Sequence, residues 1–241
     1  MNCFQADMNW TLRRDPAGAS AEADIAAEMA LLDLAFERPI LRIWQTHQCL
    51  VVTPLIGQRA EFAPAAIASE SRGWPVIVRR TGGGPVPLTA GTLNISMCYA
   101  MPRVDSHSID RAFQQLSGPL SATFGRLGLT AETGEISGSC CPGRYDIAIN
   151  GRKLVGIAQR RRQGRRGDEL LTAILVHAMI WIAPGLEAGI EALEDFLAAA
   201  GVPTRFERGK MGTLQEVSRY REGAMEFGEL FASVVRGGLR A

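Results

Sequence analysis

The sequence predicts an α/β fold of the α+β kind: one mixed domain whose strands and helices alternate too irregularly for a doubly wound sheet. Three observations predict it. Apolar residues switch repeatedly between a period of two and a helical period. Asn150-Gly151 joins two alternating runs in the manner of a two-residue hairpin. No linker-like or low-complexity stretch divides the 241 residues, a length that suits one large domain.

The elements follow in order. Ser20–Leu34 reads as a helix, capped by Ser20, with Ile25, Met29 and Leu32 at helical spacing. Pro39–Val52 alternates as strands, Leu41-Arg42-Ile43-Trp44 and then Leu50-Val51-Val52. Phe62–Arg72 is a short helix, and Trp74–Arg79 a strand running into a Gly/Pro loop. Leu93–Tyr99 is a strand, and Ser108–Leu127 a long helix ended by Gly128. Tyr145–Ala158 is the hairpin, Arg160–Arg166 a basic loop with five arginines, and Leu170–Ile182 a buried strand. The apolar run Leu170–Ala183 is short of the roughly 20 residues that span a bilayer. Leu186–Ala200 is an amphipathic helix stopped by Gly201 and Pro203, and Glu222–Leu239 a last helix.

Composition narrows the function. Net charge is +1 with 21% charged residues, which excludes a disordered tail and a nucleic-acid coat protein. The five cysteines, Cys3, Cys49, Cys98, Cys140 and Cys141, are odd in number and form no CxxC pair. That predicts neither a disulfide framework nor a zinc site, and fits a reducing cytoplasm. Met1–Pro16 carries no apolar signal core, so a cytoplasmic protein without membrane contact is expected. Of the 26 Lys and Arg residues only Lys153 and Lys210 are lysines. Codon bias explains the arginines, but a retained ammonium is a chemical choice worth locating.

Two places carry chemistry. Arg79-Arg80-Thr81-Gly82-Gly83-Gly84-Pro85-Val86 follows a strand, and its glycines let the backbone approach a ligand while free N–H groups cradle an anion. The spacing is neither a dinucleotide fingerprint nor a P-loop; a plain turn is the bland alternative. In the hairpin, counting across the turn pairs Ile149 with Arg152, Ala148 with Lys153, Ile147 with Leu154 and Asp146 with Val155. Asp146 then lies diagonal to Lys153, able to hold its ammonium charged and aimed, with Gly156 leaving room beside the pair. The bland alternative is a surface ion pair.

Together with Gly91-Thr92-Leu93-Asn94 and Gly143-Arg144-Tyr145-Asp146, these blocks resemble the lipoate–protein ligase and octanoyltransferase family, relatives of biotin–protein ligase. The resemblance covers roughly Ala19 to Pro184. It implies a class II synthetase-like catalytic domain, a central, mainly antiparallel sheet flanked by helices, spanning residues 1–241 with 185–241 as a helical extension. It implies an acyl or adenylate site of Arg79, Thr81, Gly82, Gly83, Gly84, Pro85, Val86, Asn94, Asp146, Gly156 and Ala158, with Lys153 catalytic and no metal ligand assigned. Lys153 would stabilise charge as the acyl carbonyl is attacked. The activity implied first is a ligase that joins lipoate or octanoate to AMP from ATP, with Mg2+, and passes the acyl group to a lysine. The acceptor would be a lipoyl domain or a glycine cleavage H-type protein. The second is a transferase taking the acyl group from a carrier protein through a thioester on Cys140 or Cys141, which precede the second block. A third, of another class, is a non-catalytic binder of lipoyl domains. The chain departs from the family pattern at Pro87-Leu88-Thr89 and at Tyr145.

The remaining candidates are set aside. His177 reads as a satisfied core histidine, and His47 and His107 as loop residues without a partner cluster. The Arg160–Arg166 loop reads as a solvated surface or as a dock for an acidic acceptor domain; it lacks the interleaved aromatics of a nucleic-acid site.

Overall fold

Along the chain run β1 (Thr11–Asp15), α1 (Ala21–Leu34), β2 (Ile40–Trp44), β3 (Cys49–Val52), α2 (Pro54–Gly57), α3 (Phe62–Ser71), β4 (Val76–Val78), β5 (Val86–Leu88) and β6 (Thr92–Met101). There follow α4 (Ser108–Arg126), β7 (Glu132–Thr133), β8 (Ile147–Ile149), β9 (Arg152–Arg166), β10 (Glu169–Trp181), α5 (Leu186–Ala199), a 3-10 turn (Arg208–Lys210), α6 (Leu214–Val217) and α7 (Ala224–Gly237). The structure is a computed structural model, and it describes residues 9–102 and 108–237. Cys3, His107 and the predicted end of the last helix at Leu239 lie outside the described residues.

The strands form a seven-stranded sheet in the order β1-β2-β6-β10-β9-β8-β7 and a three-stranded sheet, β4-β3-β5. Among the described residues of the large sheet, only β1 and β2 pair parallel. The mainly antiparallel sheet with flanking helices is therefore the expected one. Strand alternation sorts its two faces. Leu41, Ile43, Leu93, Ile95, Met97, Val176, Ala178 and Ile180 point to one side and are sealed by α4 and α7 through Leu116, Leu120, Phe124, Phe227 and Phe231. The intervening residues, among them Trp44, Asn94, Ser96, His177, Met179 and Trp181, point to the other side, where α1 and the small sheet lie. Each buried tryptophan finds an acceptor there: Trp44 Nε1 donates to Ser96 Oγ (2.9 Å) and Trp181 Nε1 to the Pro87 carbonyl (3.3 Å).

Three expectations need correction. Arg160–Arg166 is not a loop: it is the outer half of β9, paired with β10 from Arg160↔Leu175 to Arg166↔Glu169. Backbone pairing across a second two-residue turn, Gly167-Asp168 with Gly167 at φ +59°, carries this hairpin whatever its side chains. Secondly, the first hairpin has the predicted left-handed turn, Asn150 at φ +53° and Gly151 at +71°, and the predicted pairs Ile149↔Arg152 and Ala148↔Lys153. A register shift then pairs Ile147 with Val155 instead of Leu154, and Asp146 lies outside the strand. Thirdly, Val86-Pro87-Leu88 leaves the Gly/Pro loop and pairs with β3. Pro87, without an N–H, is tolerated because β5 is an edge strand.

Candidate active site

Between the large sheet, α1 and the small sheet lies a cavity of about 40 Å3. Ile25, Trp44, Val51, Val86, Leu88, Ile157, Ala158 and Met179 make it chiefly apolar; Glu28, Arg79, Asn94, Cys141, Lys153 and His177 are its polar wall. Of the residues singled out in the sequence, Arg79, Val86, Asn94, Cys141, Lys153, Gly156 and Ala158 meet here. Thr81, Gly82, Gly83, Gly84, Pro85, Cys140 and Asp146 do not line it.

Lys153 and Asp146 form a pair at 2.6 Å with 0% and 2% side-chain exposure, so the surface-pair alternative is excluded. The bulge lets them meet directly rather than across a diagonal. Lys153 Nζ also donates to the carbonyls of Cys140 (2.8 Å) and Cys141 (2.7 Å). Its three hydrogens are thereby committed. Burial pushes the Asp146 carboxyl above its ordinary range, while Lys153 and the N–H groups of Gly143 and Ile157 pull it back. Gly156 is needed beside the ammonium: a Cβ there would stand 3.0 Å from Met179 Cε and 3.5 Å from Lys153 Nζ.

The two cysteines divide. Cys140 is fully buried, faces Met211 Sδ (3.1 Å), and burial pushes its thiol up to about 12. Cys141 lies on the cavity wall, and its backbone is left-handed at φ +50°, unusual for a residue with a Cβ. That conformation costs on the order of 1 kcal/mol and persists where neighbours over-determine it. Here Lys153 holds its carbonyl, while the Gly84 N–H (2.6 Å) and the Arg79 guanidinium are aimed at its sulfur. Arg79 also donates to the Gly84 carbonyl (3.0 Å), and burial pushes its guanidinium downward. The triple glycine thus serves Cys141 rather than lining the cavity. Gly83, at φ +97°, would carry a Cβ 2.8 Å from Arg79 Nη2 and 3.0 Å from Cys141 Sγ.

Sequence reading missed the wall opposite. His177 is not a satisfied core residue: Nδ1 is 3.0 Å from Glu28 Oε1, but Nε2 is buried without a partner among the described residues, and its ring lines the cavity. Ser96 donates to Glu28 Oε1 (2.6 Å) and accepts from Trp44. Burial raises the Glu28 carboxyl, but His177, Ser96 and Arg42 together hold it below its ordinary value. Asn94 Nδ2 is another buried polar atom on this wall without a partner among the described residues. Period-two alternation from Trp44 and Asn94 would have placed Ser96, His177 and Met179 on this face; the pairing of β6 with β10 was what the sequence lacked. Nor is the segment after Pro184 a mere extension. Met211 bridges to Lys153, the Gly212 N–H donates to the Lys153 carbonyl (3.1 Å), and Met211 Sδ accepts from the Cys140 N–H (3.3 Å).

Comparison with known proteins bears on the fold and descent of the chain. The family model of the lipoyl protein ligase A/B catalytic domain matches residues 21–219, well past Pro184. The octanoyl-[GcvH]:protein N-octanoyltransferase of Kyrpidia tusciae is 31% identical over 194 residues, covering 78% of this chain and 66% of that relative. The chain spans 44%, 45% and 54% of three other octanoyltransferases of this description. Among solved structures, a T. acidophilum protein described as a lipoate protein ligase, with bound lipoic acid, has a TM-score of 0.69 at 19% identity, over 97% of this chain and 87% of that one. Lipoate-protein ligase A bound with ATP gives the same TM-score and identity over 96% and 85%. These two likenesses bear on the fold, while the match over 21–219 bears on descent: this chain belongs to the lipoyl protein ligase A/B catalytic domain family.

Proposed function

We propose that this chain is an acyltransferase that moves an octanoyl or lipoyl group to a lysine of a lipoyl-type acceptor domain through a thioester on Cys141. The observation that carries the reading is the sulfur of Cys141 at the cavity wall, approached by Arg79 and the Gly84 N–H. The apolar cavity receives the acyl chain. The sulfur of the Cys141 thiol attacks the carbonyl of an acyl thioester and gives up its proton; a C–S bond to Cys141 forms, the donor's own C–S bond breaks, and the departing donor sulfur takes up that proton. The neutral amine of the acceptor lysine then attacks the new thioester; the amide forms, and Cys141 departs and regains a proton. Arg79 and the Gly84 N–H face the charge that develops at this point. Lys153 acts on Cys141 from behind, through the carbonyls it holds.

The octanoyltransferase named for GcvH is 31% identical to this chain, which supports a glycine cleavage H-type protein as donor or acceptor. An acyl carrier protein is the other thioester donor.

ATP-dependent acyl activation is the second reading, favoured by the arginines beside Cys141. Two carboxylates stand near a Mg2+ ion's place: Asp146, whose oxygens are occupied by Lys153 (2.6 Å) and the Gly143 N–H (2.8 Å), and Glu28 on the cavity wall, whose Oε1 is held by Ser96 (2.6 Å) and His177 (3.0 Å). Carboxylates already taken up in this way do not fit the metal.

The test incubates the protein with octanoyl-carrier protein, or with octanoate and ATP, and reads intact mass. A gain of one octanoyl group with the thioester donor alone, lost in Cys141→Ser and kept in Cys140→Ser, is expected. Acceptor labelling that needs ATP and survives Cys141→Ser would reject the thioester route. A protein that binds acceptor but labels nothing under either condition would be a non-catalytic binder.

A further inference from the structure

Acyl transfer moves a proton in each of its two steps, and the cavity wall holds a group built to carry it. His177 is 8% exposed, and its Nδ1 lies 3.0 Å from Glu28 Oε1. An ionised carboxylate only accepts, so in the neutral ring the hydrogen sits on Nδ1 and Nε2 presents a lone pair. Nε2 is buried without a partner among the described residues, on a ring that lines the cavity. The carboxylate is fixed in turn: Ser96 donates to the same oxygen (2.6 Å), and Trp44 Nε1 donates to Ser96 (2.9 Å). Cys141 stands close by. The point that a Cβ on Gly83 would occupy is 3.0 Å from Cys141 Sγ and 3.9 Å from Ala158 Cβ. Ala158 pairs with His177 across β9 and β10. Directly opposed side chains leave one face of a sheet roughly 5 Å apart. Sulfur and imidazole therefore flank Ala158 on the cavity side. The other wall groups are committed. Lys153 Nζ places its hydrogens on Asp146 and two carbonyls, and the Arg79 guanidinium does not give up its proton.

We infer that His177 is the acid–base catalyst of the transfer, with Glu28 as the residue that positions it. The inference rests on the transfer reading above. A nucleophile, a base and a carboxylate that orients the base form the arrangement that activates a weak nucleophile. In the first step Nε2 takes the proton of the Cys141 thiol as its sulfur attacks the acyl carbonyl. The C–S bond to Cys141 forms, the donor's C–S bond breaks, and the imidazolium returns the proton to the departing sulfur. In the second step the neutral amine of the acceptor lysine attacks the Cys141 thioester, and Nε2 takes one of its protons. The amide forms, the C–S bond to Cys141 breaks, and that proton passes to Cys141 Sγ. Glu28 keeps the Nδ1 hydrogen in place throughout and stabilises the imidazolium that each step creates. The charged and titratable groups around the ring are Glu28 on α1, Arg42 on β2 behind Glu28, Arg79 after β4, Cys98 on β6, Cys141, and Lys153 on β9.

The experiment compares two octanoyl donors and reads acylation of Cys141 by mass over time. Octanoyl-carrier protein releases an alkyl thiol, which needs a proton to leave; the octanoyl thioester of nitrothiophenol releases an aryl thiolate, which does not. His177→Gln keeps a donor for Glu28 but has no basic nitrogen. It is expected to slow acylation from the carrier protein about 100-fold and from the aryl donor less than about tenfold. Glu28→Gln should slow the first reaction about tenfold. His47→Gln, at an exposed histidine outside the cavity, should change neither rate. His177→Asn is read the same way should the glutamine disturb the fold, which urea unfolding reports. An unchanged rate, or an equal loss with both donors, overturns the inference: the first leaves His177 no task, the second makes it a support for the shape of the site. Alkylation of Cys141 by iodoacetamide reads the pair without an acyl group. His177→Gln should react about tenfold more slowly at pH 7 and as fast as wild type near pH 9.5, where solvent base replaces the imidazole. Alkylation independent of His177 at both pH values also overturns the inference. A wild type that takes octanoyl from neither donor, yet shows histidine-dependent alkylation, would refute the transfer reading and leave the cysteine–histidine pair standing.

Discussion

Replacing Lys153 by Met separates the two things this side chain does. It removes the ammonium while keeping a straight apolar chain of similar length in a site with 0% exposure. What remains is the Asp146 carboxylate, 2% exposed, with its N–H partners but no cation, and two backbone carbonyls that lose their donor. Removing one partner of a buried pair costs about 3–5 kcal/mol, because the other charge stays buried and unpaired. For a chain of this size each kcal/mol lowers the melting temperature by roughly 2–4 °C, so Lys153→Met should melt about 6–20 °C below wild type. The double variant Lys153→Met/Asp146→Asn removes the orphaned charge and keeps a carbonyl oxygen for the Gly143 N–H. It should recover about 2 kcal/mol or more of that loss. Urea unfolding of the four corners of the cycle measures this. A Lys153→Met variant within about 1 kcal/mol of wild type, or a double variant less stable than the single one, would refute the buried-pair reasoning. Activity gives the second half: because Lys153 holds the Cys141 carbonyl, the double variant should regain stability without regaining acyl-enzyme formation.

Other consequences can be checked alongside. Gly156→Ala puts a methyl group 3.0 Å from Met179 Cε, a flexible end that can yield into the cavity; stability should fall by only about 1 kcal/mol, while an eight-carbon acyl donor is used far less well than a short one in competition assays. Asn150→Ala places at φ near +53° a residue that tolerates the left-handed region less well than Asn, and should cost about 1 kcal/mol by urea unfolding with activity retained. Glu28 is held below its ordinary carboxyl value of 4.5, so its ionised form stabilises the fold above that pH, and this contribution is lost as pH falls through the lower folded value. Glu28→Gln should therefore flatten the acid limb of stability below about pH 4.5; an unchanged acid limb would remove Glu28 from the account.

How much of this was legible in the sequence depends on the range of the contact. Residues adjacent in sequence gave themselves away: the Asn150-Gly151 turn, the glycine loop, and the cation on the strand leaving the turn. Pairings between distant strands did not. His177 looks like one polar residue in an apolar run until β10 is laid beside β6, when it joins Trp44, Asn94 and Ser96 on the cavity face. Met211 sits some 58 positions from Lys153 with no periodic signal, yet its backbone bridges to it. The outer half of β9 misled for another reason. A run of arginines favours a solvated loop, whereas the deciding signal is Gly167-Asp168, a second two-residue turn between strands like Asn150-Gly151.

The pairing of Lys153 with the Cys140-Cys141 carbonyls also changes what a retained lysine means. An arginine is planar and forked, and cannot present three hydrogens to acceptors arranged around one point. At position 153 the acceptors are an aspartate and two successive carbonyls within 2.6–2.8 Å of one nitrogen, with Met179 and Gly156 packed beside it. Geometry alone excludes arginine there, before any chemistry is considered. Lys153→Arg is accordingly a sharper test than Lys153→Met of whether charge or shape matters. It conserves the charge, yet it should lose a comparable share of stability and displace Cys141 from the Gly84 N–H. If Lys153→Arg instead keeps both stability and acyl-enzyme formation, a positive field suffices and the three-point hold on the cysteine turn is not what the reaction needs.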